Sequence, residues 1–502
     1  MKANKKNQVT STPEQRIQLS GATIQELFSN KSWKSLFLRT DISSLVFYRI
    51  LFGLLMLYEV SRYLGSEWIY NYWIQPKFHF TYWPFDFLQP LPGNGMYVLF
   101  YVMALLSVFI IIGFFYRLSM LLFWLCFSYM FLLEQTRYMN HFYLLMLISF
   151  IMIFIPVHTS ASVDSKIFKN CKSEIAPVWS LWLMRFMIAV PFFFGGVAKL
   201  NADWLQGQPL KIWLRRETDF PIIGSLFQYD WMIYFMAYSG MLLDLFIVPA
   251  LLFKKTRLWG FILIVTFHLM NSQLFSINVF PWFMIAATSL YFNPGWFRKV
   301  VNFVTGNNWK LKTTSIDRID STGNLSFQEK AVVGSLIFWI TLHTVLPLRH
   351  FVIPGSVHWT EEGHRYAWNM KLRTKSSKGY YKVVDKKTGQ TEIVNSRDFL
   401  TKRQYIKVGD RPYLVWQFCQ MLKKEYKEKQ NRDVAVYANI QSTLNGRKYQ
   451  QLIDSTVDLT SVPRPIFPAS WIVPLTTPLS DQLEKIKMKM TAANNQIFKL
   501  LY

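Results

Sequence analysis

The chain has 502 residues, 51 % of them apolar and 17 % aromatic, with 55 Lys and Arg against 30 Asp and Glu for a formal net charge of +25. The apolar residues gather in blocks of about 20, the length that spans a bilayer. This excludes an all-soluble chain and assigns the positive charge to loops on one face of a membrane, not to a nucleic-acid surface.

In chain order, the opening MKANKKNQVTSTPEQR is polar and basic and has no apolar stretch of a cleavable signal peptide. The first apolar block is therefore expected to be an uncleaved anchor behind a basic cytoplasmic tail, residues 1–42. Nine crossings are expected, at 43–64, 96–116, 118–136, 142–157, 179–200, 230–253, 258–275, 276–292 and 331–349. Asn271–Gln273 interrupts the seventh and eighth, which read as a tight hairpin or a re-entrant pair. With the tail inside, the same side collects Lys166, Lys169, Lys172, Lys254, Lys255, Arg257, Arg298 and Lys299. The opposite loops carry only Lys77, Arg137, Lys211, Arg215 and Arg216, which is the positive-inside bias. The aromatic stretch at 66–92 reads as an interfacial belt or a lid over the helix ends.

After about residue 350 the composition turns polar. Tyr380–Asp385 and Asp433–Ile440 read as strands, Asn445–Gly446 as a hairpin turn, and Tyr413–Lys429 as an amphipathic helix. The expected fold is a mainly α polytopic membrane protein: about nine transmembrane helices over 43–350, then a smaller extracytoplasmic α+β domain over 351–502. The membrane is a bacterial inner membrane or an endoplasmic-reticulum membrane, with this domain periplasmic or lumenal.

Ionisable groups inside spans require a reason. In FFFGGVAKLNADW (Phe192–Trp204), Lys199 either snorkels to the interface or is a buried base kept uncharged by its surroundings. Gly195 and Gly196, one turn earlier, leave room for a neighbouring helix or a flat ligand. Asn140 and His141 open the fourth span, while His268 and Asn271, three apart, share a helix face near the outer end of the seventh. The topology places all of these on one side, where they are expected to converge in an outer-leaflet pocket. Depth counted from the inner helix ends pairs Arg185 with Asp244 as a structural ion pair. Three cysteines with no CxxC, and histidines without ligand spacing, give no metal site; His358 and His364, beside Glu361 and Glu362, read as a polar loop.

FFFGGVAKLNADWLQGQPL, FHLMNSQLFSINVF, YMNHFYLL, MLLDLFI and RYAWNMKLR together resemble the vitamin K-dependent gamma-glutamyl carboxylase family, including its prokaryotic HTTM-domain members. The likeness covers about 43–375. It implies a membrane enzyme that oxygenates reduced vitamin K (phylloquinol or menaquinol) to its epoxide with O2. It further implies coupled addition of CO2 to glutamate in a peptide or protein substrate, with the bilayer as the other partner. On this resemblance Lys199 is the catalytic lysine and His141 the histidine of the carboxylation half. Asn140, His268 and Asn271 line the quinol and substrate pocket, and Trp368 and Met370 belong to the segment after the last span. The family's second Met is Lys371 here, and the His and Arg that follow in animal members are Arg373 and Lys375. A membrane quinol oxygenase without carboxylation, or a non-catalytic membrane scaffold, are the alternatives.

Overall fold

The computed structural model describes residues 33–275, 277–306, 309, 324–465 and 468–479. Most of the basic N-terminal tail lies outside the described residues.

Among the described residues, five helices are long and apolar enough to cross a membrane: Ser43–Leu64, Gly95–Ile112, Val178–Ala198, Asp230–Leu252 and Phe327–Val352. In chain order the main helices are α1 (Ser43–Leu64), α2 (Gly95–Ile112), α3 (Tyr116–Leu132), α4 (Asn140–Phe154), α5 (Val178–Ala198), α6 (Asp230–Leu252), α7 (Arg257–Leu274), α8 (Phe280–Thr288) and α9 (Phe327–Leu348). α3 and α4 are apolar but shorter. The expectation of nine full crossings is corrected at the eighth. α8 has nine residues, about 14 Å of helix, which is half a hydrocarbon core. Pro281, at its first turn, is pre-organised for a helix start.

On the side where α1 begins, two short strands, β1 (Arg39–Asp41) and β2 (Ile175–Pro177), pair antiparallel and tie the starts of α1 and α5. Asp41 accepts from the Ser43 backbone N–H at 2.8 Å and from both Nε and Nη2 of Arg298 at 3.1 Å. Arg49, fully buried in α1, donates to the carbonyls of Val157 (2.7 Å) and Ala161 (2.7 Å), so its charge is spent on loop backbone.

The polar C-terminal part forms one antiparallel sheet in the order β4 (Thr391–Val394), β3 (Lys375–Asp385), β5 (Val434–Leu444), β6 (Gln450–Gln451). β3 and β5 pair along their whole length, from Lys375 opposite Leu444 to Asp385 opposite Val434. Asn445 and Gly446, at φ 52° and 86°, make the expected Asn-Gly turn into β6. α10 (Pro412–Gln430) covers the buried face, with Phe418 and Tyr381 ring centroids 4.7 Å apart.

The aromatic stretch at 66–92 is a wedge between the two parts, not a loose cover. Phe80 is fully buried in the core of the sheet domain. Gln404 Nε2 donates to the carbonyl of Phe78 at 2.8 Å, and Gln417 Nε2 to that of Thr81 at 3.1 Å. Paired backbone and filled core on both sides make this seam a packed interface.

Candidate functional site

α5 and α6 meet at the end of α5 because Gly195 and Gly196 carry no side chains. A Cβ on Gly196 would lie 2.9 Å from the backbone N of Leu245 and 2.7 Å from its Cγ. This contact puts Lys199, which caps α5, beside Asp244. Lys199 Nζ donates to the Asp244 carboxylate and to the Gly195 carbonyl at 3.3 Å, and it lies 5.4 Å from the centroid of the Trp204 ring. Both side chains are buried.

Two expectations are corrected here. The predicted Arg185–Asp244 pair does not form, because α5 and α6 are staggered. Leu245 packs at Gly196, and Arg185 is eleven residues earlier, about 16 Å deeper along α5. Arg185 donates instead to the carbonyls of Leu290 (2.9 Å) and Phe292 (3.3 Å). Nor is Lys199 an amine that snorkels out to water: it is buried and hydrogen-bonded to the Asp244 carboxylate.

α4 supplies the second wall. Tyr138 Oη donates to Asn140 Oδ1 at 2.9 Å and accepts from the Tyr366 N–H at 2.7 Å; Asn140 Nδ2 donates to the Asn369 carbonyl at 3.1 Å. α7 supplies His268. The ring of Phe280 lies between the two imidazoles, 5.5 Å from His141 and 6.1 Å from His268. His268 also faces Phe192 at 5.9 Å, and its Nε2 is buried with no partner among the described residues.

Lys199, Asp244, Asn140, His141, His268, Asn271 and Met370 all line one cavity of about 1700 Å³. That exceeds an ordinary small-molecule pocket of roughly 300–1,000 Å³, so it has room for two ligands. Trp368 is not a wall of it. Its ring is buried against Tyr143 at 5.4 Å, which corrects its expected place among the binding residues. Trp368 anchors the segment, and its neighbours 369 and 370 reach the cavity.

That segment, Arg365–Arg373, descends from the sheet domain to the mouth of the helical part. Tyr366, Trp368 and Lys371 have φ of 63°, 59° and 53°, left-handed geometry that costs a non-glycine residue about 1 kcal/mol or more each. The contacts from Tyr138, Asn140 and Tyr143 hold it in place. The strain aims Asn369 inward: this residue is 4 % exposed, lines the cavity, and neither its Oδ1 nor its Nδ2 has a partner among the described residues. Sequence reasoning missed Asn369, since nothing in RYAWNMKLR distinguishes it from a loop polar residue. It also missed Phe280, which reads as one more phenylalanine of a span.

The cavity has two chemically different ends. Its walls between α6 and α7 are apolar, with Phe246, Trp259 and Leu263 on the outer surface of the helices. At the sheet-domain end it is lined by Arg365, Lys371, Arg373, Lys375, Lys407 and Arg411, against the carboxylates of Glu361 and Asp410. Lys375 Nζ donates to the carbonyls of Trp359 (2.8 Å) and Asp410 (2.5 Å) and lies 3.6 Å from Glu361. Burial pulls Lys375 down to about 8, against the opposing pull of Glu361 and Asp410. Burial, with the nearby Arg373, also holds His358 down at about 3 and His364 well below the usual imidazole range. Both rings are therefore neutral at pH 7, and the cationic character belongs to lysines and arginines. Glu361 faces Arg373 at 2.7 Å and Lys375, and among the described residues no three His, Cys, Asp or Glu side chains gather to hold an ion.

Two family models match the chain. The HTTM domain covers residues 37–296, and the vitamin K-dependent gamma-carboxylase lumenal domain covers residues 328–478. The second match begins within α9, so it takes in the last long apolar helix together with the sheet. No solved structure matches the chain.

Proposed function

We propose, from the premise that this chain belongs to the vitamin K-dependent gamma-carboxylase family, that it couples oxygenation of a reduced naphthoquinone to carboxylation of peptide glutamate. The quinol is phylloquinol or menaquinol, and O2 and CO2 are co-substrates. The observation that carries this reading is the convergence of Lys199, His141 and His268, from α4, α5 and α7, on one cavity with an apolar end and a basic end.

The residues fit a quinol. His268 Nε2 and the Asn369 amide are buried polar groups without partners among the described residues, as an aromatic ligand with two oxygens requires. Phe192 and Phe280 offer flat apolar walls beside them. Oxygenation of the bound quinol supplies a base strong enough to remove a glutamate γ-proton. Lys199 takes the phenolic proton that begins the sequence. His141 serves the carboxylation half, Asn140 fixes the Asn369 segment, and Asn271 and Met370 complete the pocket. The apolar walls exclude water, which would otherwise protonate the glutamate carbanion before CO2 adds. The basic end at Arg373, Lys375 and Arg411 draws in a carboxylate-bearing peptide.

In this reading the N-terminal side faces the cytoplasm and the sheet domain faces the periplasm or lumen. The remaining apolar helices complete nine membrane segments, with α7 and α8 as a re-entrant pair.

The test is purified full-length protein in lipid, given vitamin K hydroquinone, O2, labelled CO2 and a glutamate-containing peptide. Epoxide and acid-stable label in the peptide are expected, with Lys199→Ala losing both and His141→Ala losing label more than epoxide. Epoxide without label identifies a quinol oxygenase instead. Absence of both products, or a Lys199→Ala variant equal to wild type, refutes the reading.

A further inference from the structure

A buried carboxylate that serves only to fasten a helix is normally saturated with donors. Asp41 and Asp203 are two examples. Asp41 takes two bonds from Arg298 and one from the Ser43 N–H. Asp203 takes two from Arg447, at 2.6 and 2.7 Å, and one from Asn445 at 2.8 Å. Asp244 differs. Among the described residues Lys199 is its one hydrogen-bond partner, and it lines the cavity. The amine is held almost as sparsely, by Asp244 and the Gly195 carbonyl, which leaves one of its three donors for the cavity. Among the described residues no other charged side chain packs on the pair: Asp203 is engaged by Arg447, and Arg185 lies far below. Beside the pair, a Cβ on Gly195 would lie 3.3 Å from the Met370 methyl and 3.4 Å from Asp244 Oδ2.

We propose that Lys199 and Asp244 act as one base, with Asp244 the residue that holds the proton Lys199 must give up before it can accept one from substrate. The inference rests on the quinol-oxygenating reading and deepens it. The empty pair carries one proton and no net charge, whether written as ammonium and carboxylate or as amine and acid. For Lys199 to accept, the shared proton sits on Asp244. The substrate O–H bond then breaks, its electron pair stays on oxygen, and a new N–H bond forms at Nζ. The pair ends with two protons and one positive charge, matched by the negative charge on the oxygen, so the dry site stays neutral. A lysine held as the ammonium has no lone pair, so a neighbouring group must take a proton before it can accept one, and Asp244 is the carboxylate in contact with it. Asp244 is thus a positioning and proton-holding residue that works through Lys199.

Two readouts test this on the full-length protein in lipid. The first is kinetic: epoxidation by wild type, Asp244→Asn and Asp244→Glu, with vitamin K hydroquinone and with a ring-halogenated, more acidic hydroquinone. Asn keeps the shape and a hydrogen bond but cannot hold the proton. Asp244→Asn is expected to lower kcat for the parent quinol by about a hundredfold, the usual scale of acid–base assistance. KM should stay within about threefold. The acidic quinol should recover at least about tenfold of that loss, and Asp244→Glu should retain most activity. The second readout is infrared difference spectroscopy without O2, so no turnover occurs. Adding quinol to wild type is expected to raise a protonated-carboxyl stretch that is missing in Asp244→Asn. Equal losses on both quinols, an Asp244→Asn kcat within about threefold of wild type, or no carboxyl band on quinol addition overturns the inference. A thermal melt shared by the three proteins separates these results from misfolding; if Asp244→Asn melts early, Asp244→Glu and the infrared band of wild type decide. Wild-type protein that makes no epoxide removes the functional reading and this inference together. An active wild type with an indifferent Asp244→Asn removes the inference alone.

Discussion

The substitution Gly196→Ala tests the geometry on which the site depends. A methyl at 196 meets the Leu245 Cγ at 2.7 Å and the Leu245 backbone N at 2.9 Å. Leu245 can rotate its side chain away, but a backbone nitrogen in mid-helix can yield only if α6 moves. Overpacking of this kind costs about 1–3 kcal/mol. The functional effect is larger than the stability effect, because Asp244 is the residue before Leu245 and moves with it. A displacement near 1 Å at a reacting group costs roughly a hundredfold in rate. Gly195→Ala is the control one residue away. Its methyl would meet the Met370 methyl at 3.3 Å and the Asp244 Oδ2 at 3.4 Å, contacts that side chains relieve by small rotations. Gly196→Ala is therefore expected to melt several degrees lower in lipid and to lose epoxidation by about a hundredfold. Gly195→Ala should keep the melting temperature and lose less activity. Equal melting and turnover of Gly196→Ala and wild type would falsify the close approach of α5 and α6.

Two further outcomes are expected. Asn369→Leu replaces a buried amide that has no partner among the described residues with an apolar group of similar size. It should raise the stability of the ligand-free protein by about 1–3 kcal/mol while lowering quinol-dependent turnover; a lower melting temperature would show that the amide is already bonded. Lys375 gives a pH signature with a defined sign. Burial moves it from 10.5 in the open chain to about 8 in the fold, so between those values the unfolded chain holds more protons and stability climbs as pH rises. The change is worth at most about 3 kcal/mol. Denaturation of wild type and Lys375→Met across that window should show a steeper climb in wild type, since Lys371 and Lys407, also lowered by burial, contribute to both; parallel curves for the two refute it.

Much of the sheet domain was legible because its signals are local. Asn445–Gly446 specifies a turn that needs two left-handed residues, and the alternation of apolar residues before it specifies a strand with one buried face. The amphipathic helix is as plain, since the expected Tyr413–Lys429 is the observed Pro412–Gln430 less one residue at each end. The candidate site residues stand out by a different route. A lysine, two histidines and two asparagines in apolar helices are costly in lipid wherever the chain places them, and cost is readable from sequence. Position relative to one another is not. The segment at Arg365–Arg373 carries no turn glycine at 366, 368 or 371, so its left-handed path, and with it the inward aim of Asn369, has no local signature.

The Asp244 partner shows where the missing information lies. Counting depth from the inner ends assumes that neighbouring helices start level, and that assumption pairs Asp244 with Arg185. Helices that pack in a membrane are set by where their backbones come closest, and small residues mark that place. The pair Gly195–Gly196 is such a mark on α5. Once the crossing is placed there, the charged residue of α5 within one turn is Lys199, three residues beyond Gly196, and not Arg185, eleven before it. The contact between Gly196 and Leu245 then fixes Asp244 opposite the lysine. Membrane ion pairs are thus better assigned outward from glycine crossings than upward from helix ends, and the same glycines that allow the approach determine which amine the carboxylate meets.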